Sequence, residues 1–183
     1  MRTDEGSIGH LLYTPSMRKA ARGIIIENGK ILVMHRSKNK VEYFTLVGGK
    51  VADNESVEQA LVREVKEETG MDVTSARLVF IEEHPEPYNE QFTFLCEVAP
   101  HAAIGLQDSS EEAGMNKLQV NMHQPQWVPI KAFTSIHFRT PLLQKAIIQA
   151  LAKGFPDQPV KLQEVHDRPS LLRRTIWKLT DKD

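Results

Sequence analysis

A single cysteine, Cys96, leaves the chain no disulfide to form within itself and fits a reducing compartment. No apolar run reaches the 18 or so residues a membrane span needs, and the first residues carry Asp4 and Glu5 and no long apolar stretch. Neither a span nor a signal peptide is therefore expected, and the reading is a cytoplasmic protein without a membrane partner. Charge of one sign is equally scarce. Lys plus Arg number 23 against 24 for Asp plus Glu, so no basic field invites nucleic acid, and a small-molecule partner is the easier reading. The seven histidines show no compact spacing of the kind zinc prefers, and no internal repeat or low-complexity tract is found.

What is present suffices for one sizeable core: 183 residues, 40% of them hydrophobic, favour one domain with extensions over two cramped ones. The boundaries expected are an N-terminal extension over 1–17, a domain over 18–153 and a C-terminal extension over 154–183. Ile- and Val-rich segments at 20–27 and 30–35 flank Asn28-Gly29, a hairpin signal. A third strand is expected over 43–47, ending at Gly48-Gly49, and then a helix from Asn54 or Ser56 to Gly70, whose freedom at positive φ suits a helix end. Strands at 76–82 and 91–98 follow, Cys96 being read as a buried strand residue, joined by a tip containing Pro85, Pro87 and Tyr88. The stretch 100–114 reads as a long loop, 118–130 as strand, and Thr140-Pro141 as the start of a helix with Leu142, Leu143, Ala146, Ile147, Ala150 and Leu151 on one face. In the tail, Leu171, Leu172, Ile176, Trp177 and Leu179 could dock on the domain or, in a homodimer, on a second subunit.

The first helix carries acids where an ordinary surface helix has none. At 100° per residue, Val57, Ala60, Leu61, Val65 and Met71 define an apolar face, Glu64 and Glu68 project into its middle, and Glu67 lies on its flank. Burying unpaired carboxylates is expensive, so something cationic has to compensate them. Solvated glutamates with basic partners would be the ordinary explanation of an acidic helix, but that explanation puts charges in the core. An ion pair with Arg63 is the other, but one guanidinium cannot neutralise four acids if Glu55 also approaches. Carboxylate oxygens converging from i, i+3 and i+4 suit a hard cation, Mg²⁺ or Mn²⁺.

Gly49, Glu55, Arg63, Glu64, Val65, Glu67, Glu68, Gly70 and Met71 reproduce the Nudix box: glycine, five residues, glutamate, seven residues, then Arg-Glu-aliphatic-x-Glu-Glu-x-Gly-aliphatic. The chain thus resembles the Nudix hydrolases, most sharply over 48–71 and more loosely over 18–151, where Trp127-Val128-Pro129 also fits. The resemblance implies an α/β (α+β) fold with a mixed β-sheet sandwiched between helices. It implies metal binding by Glu64, Glu67 and Glu68 with the Gly49 carbonyl, an orienting role for Arg63 and loop support from Glu55, with Lys50 following the glycine as in several members. Val47 stands where the family usually has proline, a departure that bears on loop rigidity.

Metal-assisted hydrolysis of a phosphoanhydride follows as the expected reaction, with a carboxylate taking the water's proton. Glu64 is one candidate base; Glu111 and Glu112 in the 100–114 loop are the others, with a mobile acidic loop as their plain alternative. For substrate, the family's proline and tyrosine markers both occur, as Pro85, Pro87 and Tyr88, and so do not discriminate; Tyr88 or Phe44 could stack on a base. The coenzyme A motif is absent. A nucleoside diphosphate sugar such as ADP-ribose is favoured over a nucleoside triphosphate. The alternative is a ligand-sensing domain without turnover, against which the intact glutamate set argues.

Overall fold

The computed structural model describes residues 18–38, 40–83, 88–101, 103–118 and 121–163. In chain order the elements are β1 (Arg18–Glu27), β2 (Lys30–Lys38), β3 (Val41–Thr45), α1 (Val57–Thr69), β4 (Val73–Glu83), β5 (Tyr88–Val98), α2 (Glu111–Lys117), β6 (Asn121–Pro129), α3 (Ile130–Phe133), α4 (Pro141–Lys153) and β7 (Val160–Leu162).

Asn28 and Gly29, at φ 49° and 71°, make the tight turn between β1 and β2, because positive φ at both central residues matches the twist of a two-residue hairpin. The two strands stay paired only at Ile26↔Ile31 and Glu27↔Lys30. β6 then lies antiparallel to β2 from Lys30↔Pro129 to Lys38↔Asn121, while β3 takes up the other edge of β2 from Met34↔Thr45 onward. β1 runs parallel to β5, β5 antiparallel to β4, and β4 parallel to β7, giving the order β3-β2-β1-β5-β4-β7 with β6 also on β2.

Alternation along these strands feeds two cores. Ile24, Ile31 and Val33 join Leu143 and Ile147 of α4 on one face; Ile25, Leu32 and Met34 join Ala60, Leu61 and Val65 of α1 on the other. Successive strand side chains point to opposite faces, so a sheet covered on both sides needs continuous apolar runs, which 24–26 and 31–34 supply. The mixed sheet between helices is the architecture expected, and Cys96 is buried on β5 as read.

Several elements differ from the sequence reading. β3 ends at Thr45, because the chain leaves β2 there and crosses to β1, where Val47 bridges Gly23 and Lys50 bridges Ala20. The stretch read as loop over 100–114 contains the start of α2, capped by Ser110, whose side chain accepts from Ala113 N–H. Strand character over 118–130 resolves into β6 and the short α3. Part of the 154–183 segment returns to the sheet as β7, and Phe155 packs near Phe80. Residues 1–17, Pro85, Pro87, the side chain of Tyr88 and the apolar tail residues 171–179 lie outside what is described.

Candidate active site

α1 is fixed at both ends by its own sequence. Ser56 accepts from Gln59 N–H while the Gln59 side chain accepts from Ser56 N–H, a reciprocal cap that satisfies two free donors. Gly70 closes the helix at φ 79°, donating to Lys66 O at 2.8 Å. Between these caps Ala60, Leu61 and Val65 are fully buried, Glu64 is 8% exposed, and Glu68 is not exposed at all. The acids sit inside the apolar stripe, as the periodicity required.

The chain before α1 is held against β1. Ala21 N–H donates to Gly49 O at 2.9 Å, Gly23 N–H to Val47 O at 3.0 Å, and Val51 N–H to Lys19 O at 2.9 Å. This attachment presses Gly49 onto α1: a Cβ there would sit 2.5 Å from the Glu64 carboxyl. Gly48 turns its N–H onto Glu68 Oε2 at 2.5 Å, and its carbonyl accepts from Arg22 Nη1.

Arg63 gathers the outer acids. Its Nε and Nη2 donate to Glu55 at 3.0 and 2.6 Å, Nη1 to Glu64 at 2.9 Å and Glu67 at 3.4 Å, and Nη2 to Lys50 O at 3.1 Å. The hydrogen bond to Arg63 holds the Glu55 carboxyl below the ordinary range, and Glu55 also accepts from Ala52 N–H at 2.8 Å, which ties the loop. Glu64 is pushed the other way, by burial first, with Arg63 opposing and Glu112 and Glu67 adding to the rise. Glu68 does not reach Arg63. Burial raises it to about 8 against the attraction of Arg36 and Arg22, Arg36 Nη2 lies 3.7 Å from its Oε1, and that oxygen has no hydrogen-bond partner.

Arg22 and Arg36 are site residues that periodicity could not find, since nothing local in β1 or β2 marks them. The chain after β5 supplies another missed device. Gly105 N–H donates to Thr69 O at 3.1 Å and Gln107 N–H to Glu67 O at 2.8 Å, tying this segment to the last turn of α1. Ser110 then starts α2, which separates the two candidate bases: Glu112 acts electrostatically on Glu64 and Glu68, whereas Glu111 acts on His123. His123, on β6, is held neutral, its pKa lowered to about 4 chiefly by burial and then by Arg36.

Beside the acids opens a cavity of about 800 Å³ whose lining, among the described residues, includes Arg22, Arg36, Lys38, Arg139, Tyr43 and His123 but no Asp or Glu. Phe44 is not among the lining residues: it packs on the core and stacks on His35 at 4.8 Å, because alternation along β3 turns Tyr43 and Thr45 to the cavity instead. The Lys50 side chain is exposed, and its carbonyl meets Arg63.

The expected convergence of three carboxylates is not seen: among the described residues no three His, Cys, Asp or Glu side chains are gathered as a cation cluster. Glu64 and Glu67 turn onto Arg63 instead. The residues nonetheless fit a hard cation. Glu68 Oε1 is buried and accepts no hydrogen bond, Arg36 standing 3.7 Å away, the glycine at position 49 keeps clear the space around the Glu64 carboxyl, and the donors on this helix are carboxylates.

With that geometry in place, the profile of the NUDIX domain matches residues 17–150. The chain belongs to the Nudix hydrolase family. It is 49% identical over 53 residues to an ADP-ribose pyrophosphatase of Methanocaldococcus jannaschii, covering 28% of this chain and 31% of that protein. It is 32% identical over 92 residues to a putative 8-oxo-dGTP diphosphatase of Bacillus subtilis, covering 50% and 59%. The match thus spans less than two thirds of these curated relatives. Among solved structures, a NUDIX hydrolase from Nitrosomonas europaea superposes with TM-score 0.58 at 17% identity over 79% of each chain. The E. coli ORF135 protein does so with TM-score 0.56 at 23% identity, over 75% of this chain and 92% of that one.

Proposed function

We propose that this Nudix protein hydrolyses a phosphoanhydride bond in a nucleoside diphosphate joined to another moiety, ADP-ribose-like or other nucleoside diphosphate sugars being favoured over nucleoside triphosphates. The observation that carries the reading is Glu68, a fully buried carboxylate with one oxygen that accepts no hydrogen bond, beside a cation-lined cavity. Glu64, Glu67 and Glu68, with the carbonyl of Gly49, would hold Mg²⁺ or Mn²⁺. Such an ion supplies charge neutralisation for a diphosphate and acidity for water beside it. Gly49 O spends one lone pair on Ala21 N–H and keeps the other, as a carbonyl has two.

The chain's own groups account for the rest. Arg22 and Arg36 stand between the acids and the cavity, where they draw in a diphosphate and oppose its charge. Arg63 holds Glu55, Glu64 and Glu67 in one array, so orientation is settled on folding. Glu112 is the favoured base: as the water oxygen bonds to phosphorus and the bridging P–O bond breaks, its carboxylate takes the proton and the leaving phosphate departs as an anion.

A panel of ADP-ribose, ADP-glucose, ATP and dGTP tests the reading. Turnover of a diphosphate sugar is expected with Mg²⁺ or Mn²⁺, lost on chelation, with one ¹⁸O from labelled water in one product. Tight nucleotide binding without turnover of any member would make the chain a ligand-sensing module instead.

A further inference from the structure

The β2–β6 ladder sets Arg36 opposite His123 and Lys38 opposite Asn121, and all four residues line the cavity, as does Thr45 of β3. Seven buried side-chain nitrogen or oxygen atoms have no hydrogen-bond partner among the described residues, and four of them belong to this wall: Arg36 Nε, Thr45 Oγ1, Asn121 Oδ1 and His123 Nδ1. Buried polar atoms are nearly always paired, and leaving one unpaired is costly, so four around one cavity indicate a partner that enters it. The wall is also built to keep them available. Asn116 clamps the His123 backbone on both sides, its Nδ2 donating to His123 O and its Oδ1 accepting from His123 N–H, each at 2.7 Å, which fixes the strand beneath the imidazole while ring Nδ1 has no hydrogen-bond partner. The Asn121 amide nitrogen is turned to Met115 Sδ at 3.7 Å, leaving Oδ1 as the open acceptor.

The chemistry of the four atoms selects the ligand. Asn121 Oδ1 only accepts, Arg36 Nε only donates, and a neutral imidazole nitrogen and a hydroxyl can do either according to tautomer or rotation. Phosphate oxygens only accept and would face Asn121 Oδ1 without a proton between them. A nucleobase wants a stacking surface, yet among the described residues the aromatic rings of the lining are Tyr43 and His123, and Arg139 already lies 4.4 Å over the Tyr43 ring. Sugar hydroxyls donate and accept from the same atom and match the mixed row. We infer that the β2–β6 wall, through His123 and Asn121, is the subsite for the hydroxyl groups of the sugar beyond the diphosphate, which rests on the substrate reading above.

The test is calorimetric binding, in chelator so that nothing is turned over, of ADP-ribose and of the β-methyl ester of ADP, which keeps the nucleotide and diphosphate but has no second sugar. The native protein is expected to prefer ADP-ribose, and His123→Phe and Asn121→Leu should each shrink that preference about tenfold or more. An unchanged ratio in folded variants, or no preference in the native protein, overturns the inference. So does a loss that follows the base, read with ADP-glucose against GDP-glucose. Should His123→Phe fail to fold, the half-buried Asn121 decides the matter alone. Turnover is measured separately with Mg²⁺: a native protein that shows the sugar preference, loses it in the variants and turns over nothing would defeat the hydrolase reading and uphold this one.

Discussion

Protonation and stability are coupled at Glu68, whose carboxyl rises from the ordinary 4.5 to about 8 on burial. Between those values the folded state keeps a proton that the unfolded chain releases, so metal-free stability should fall as pH rises through this window. Two other shifted groups act elsewhere. His123, lowered from 6.5 to about 4, costs stability only as pH falls below 6.5, and Cys96, raised from 9.0 to about 12 by burial, matters only above pH 9. Melting temperature in chelator should therefore drop between pH 6.5 and 8. Glu68→Gln should flatten that slope and raise the melting temperature at pH 8, while kcat/KM with Mg²⁺ falls severely and Mg²⁺ stabilises the variant less than the native protein. A loss of metal-free stability would instead make Glu68 a structural partner of Arg36 and defeat the ligand assignment. The bases are separable in the same way: Glu112→Gln should lower kcat about 100-fold and Glu111→Gln far less, whereas near-native rates in both variants would move the base to Glu64.

Adjacent glycines in the segment that leads into α1 should fail differently. Gly48 sits at φ 121° with the Ala21 carbonyl in the path of any Cβ, so Gly48→Ala must displace backbone and should destabilise strongly. Gly49→Ala first meets the end of the Glu64 side chain, not backbone; thermal melts should show a small change while activity collapses, and comparable melting losses in both variants would refute the distinction. The helix after these glycines was legible because every signal for it is local: the Ser56 cap, the Gly70 stop, and acids set against an apolar stripe. α2 was not, since seven residues including Gly114 and Asn116 carry little propensity and depend on the Ser110 cap and docking on β6. Arg22, Arg36 and Asn121 were equally silent, because they become neighbours only through the pairing of strands distant in sequence. Which of the two aromatics of β3 lines the cavity depends on the strand's phase, which turns Tyr43 to it and packs Phe44 against the core.

For the whole molecule, β7 covers the edge of β4 through Phe80↔Val160 to Glu82↔Leu162, and Phe155 packs beside Phe80. A chain ended after Lys153 should melt lower than one ended after Leu162 and should associate more readily, an exposed strand edge being a template for pairing; equal melting temperatures would show that β7 contributes little. Across the fold, the bond from Gln107 N–H to Glu67 O fastens the segment leading to Glu112 to the turn of α1 that carries the acids. It acts as a ruler, because Ser110 N–H donates back to Gln107 O and starts α2 at a fixed count from the anchor. One residue inserted between Gln107 and Ser110 would change that count, and each residue of an α-helix turns its face by about 100°. Such an insertion should silence the protein by phase alone, with every functional group still present in the chain.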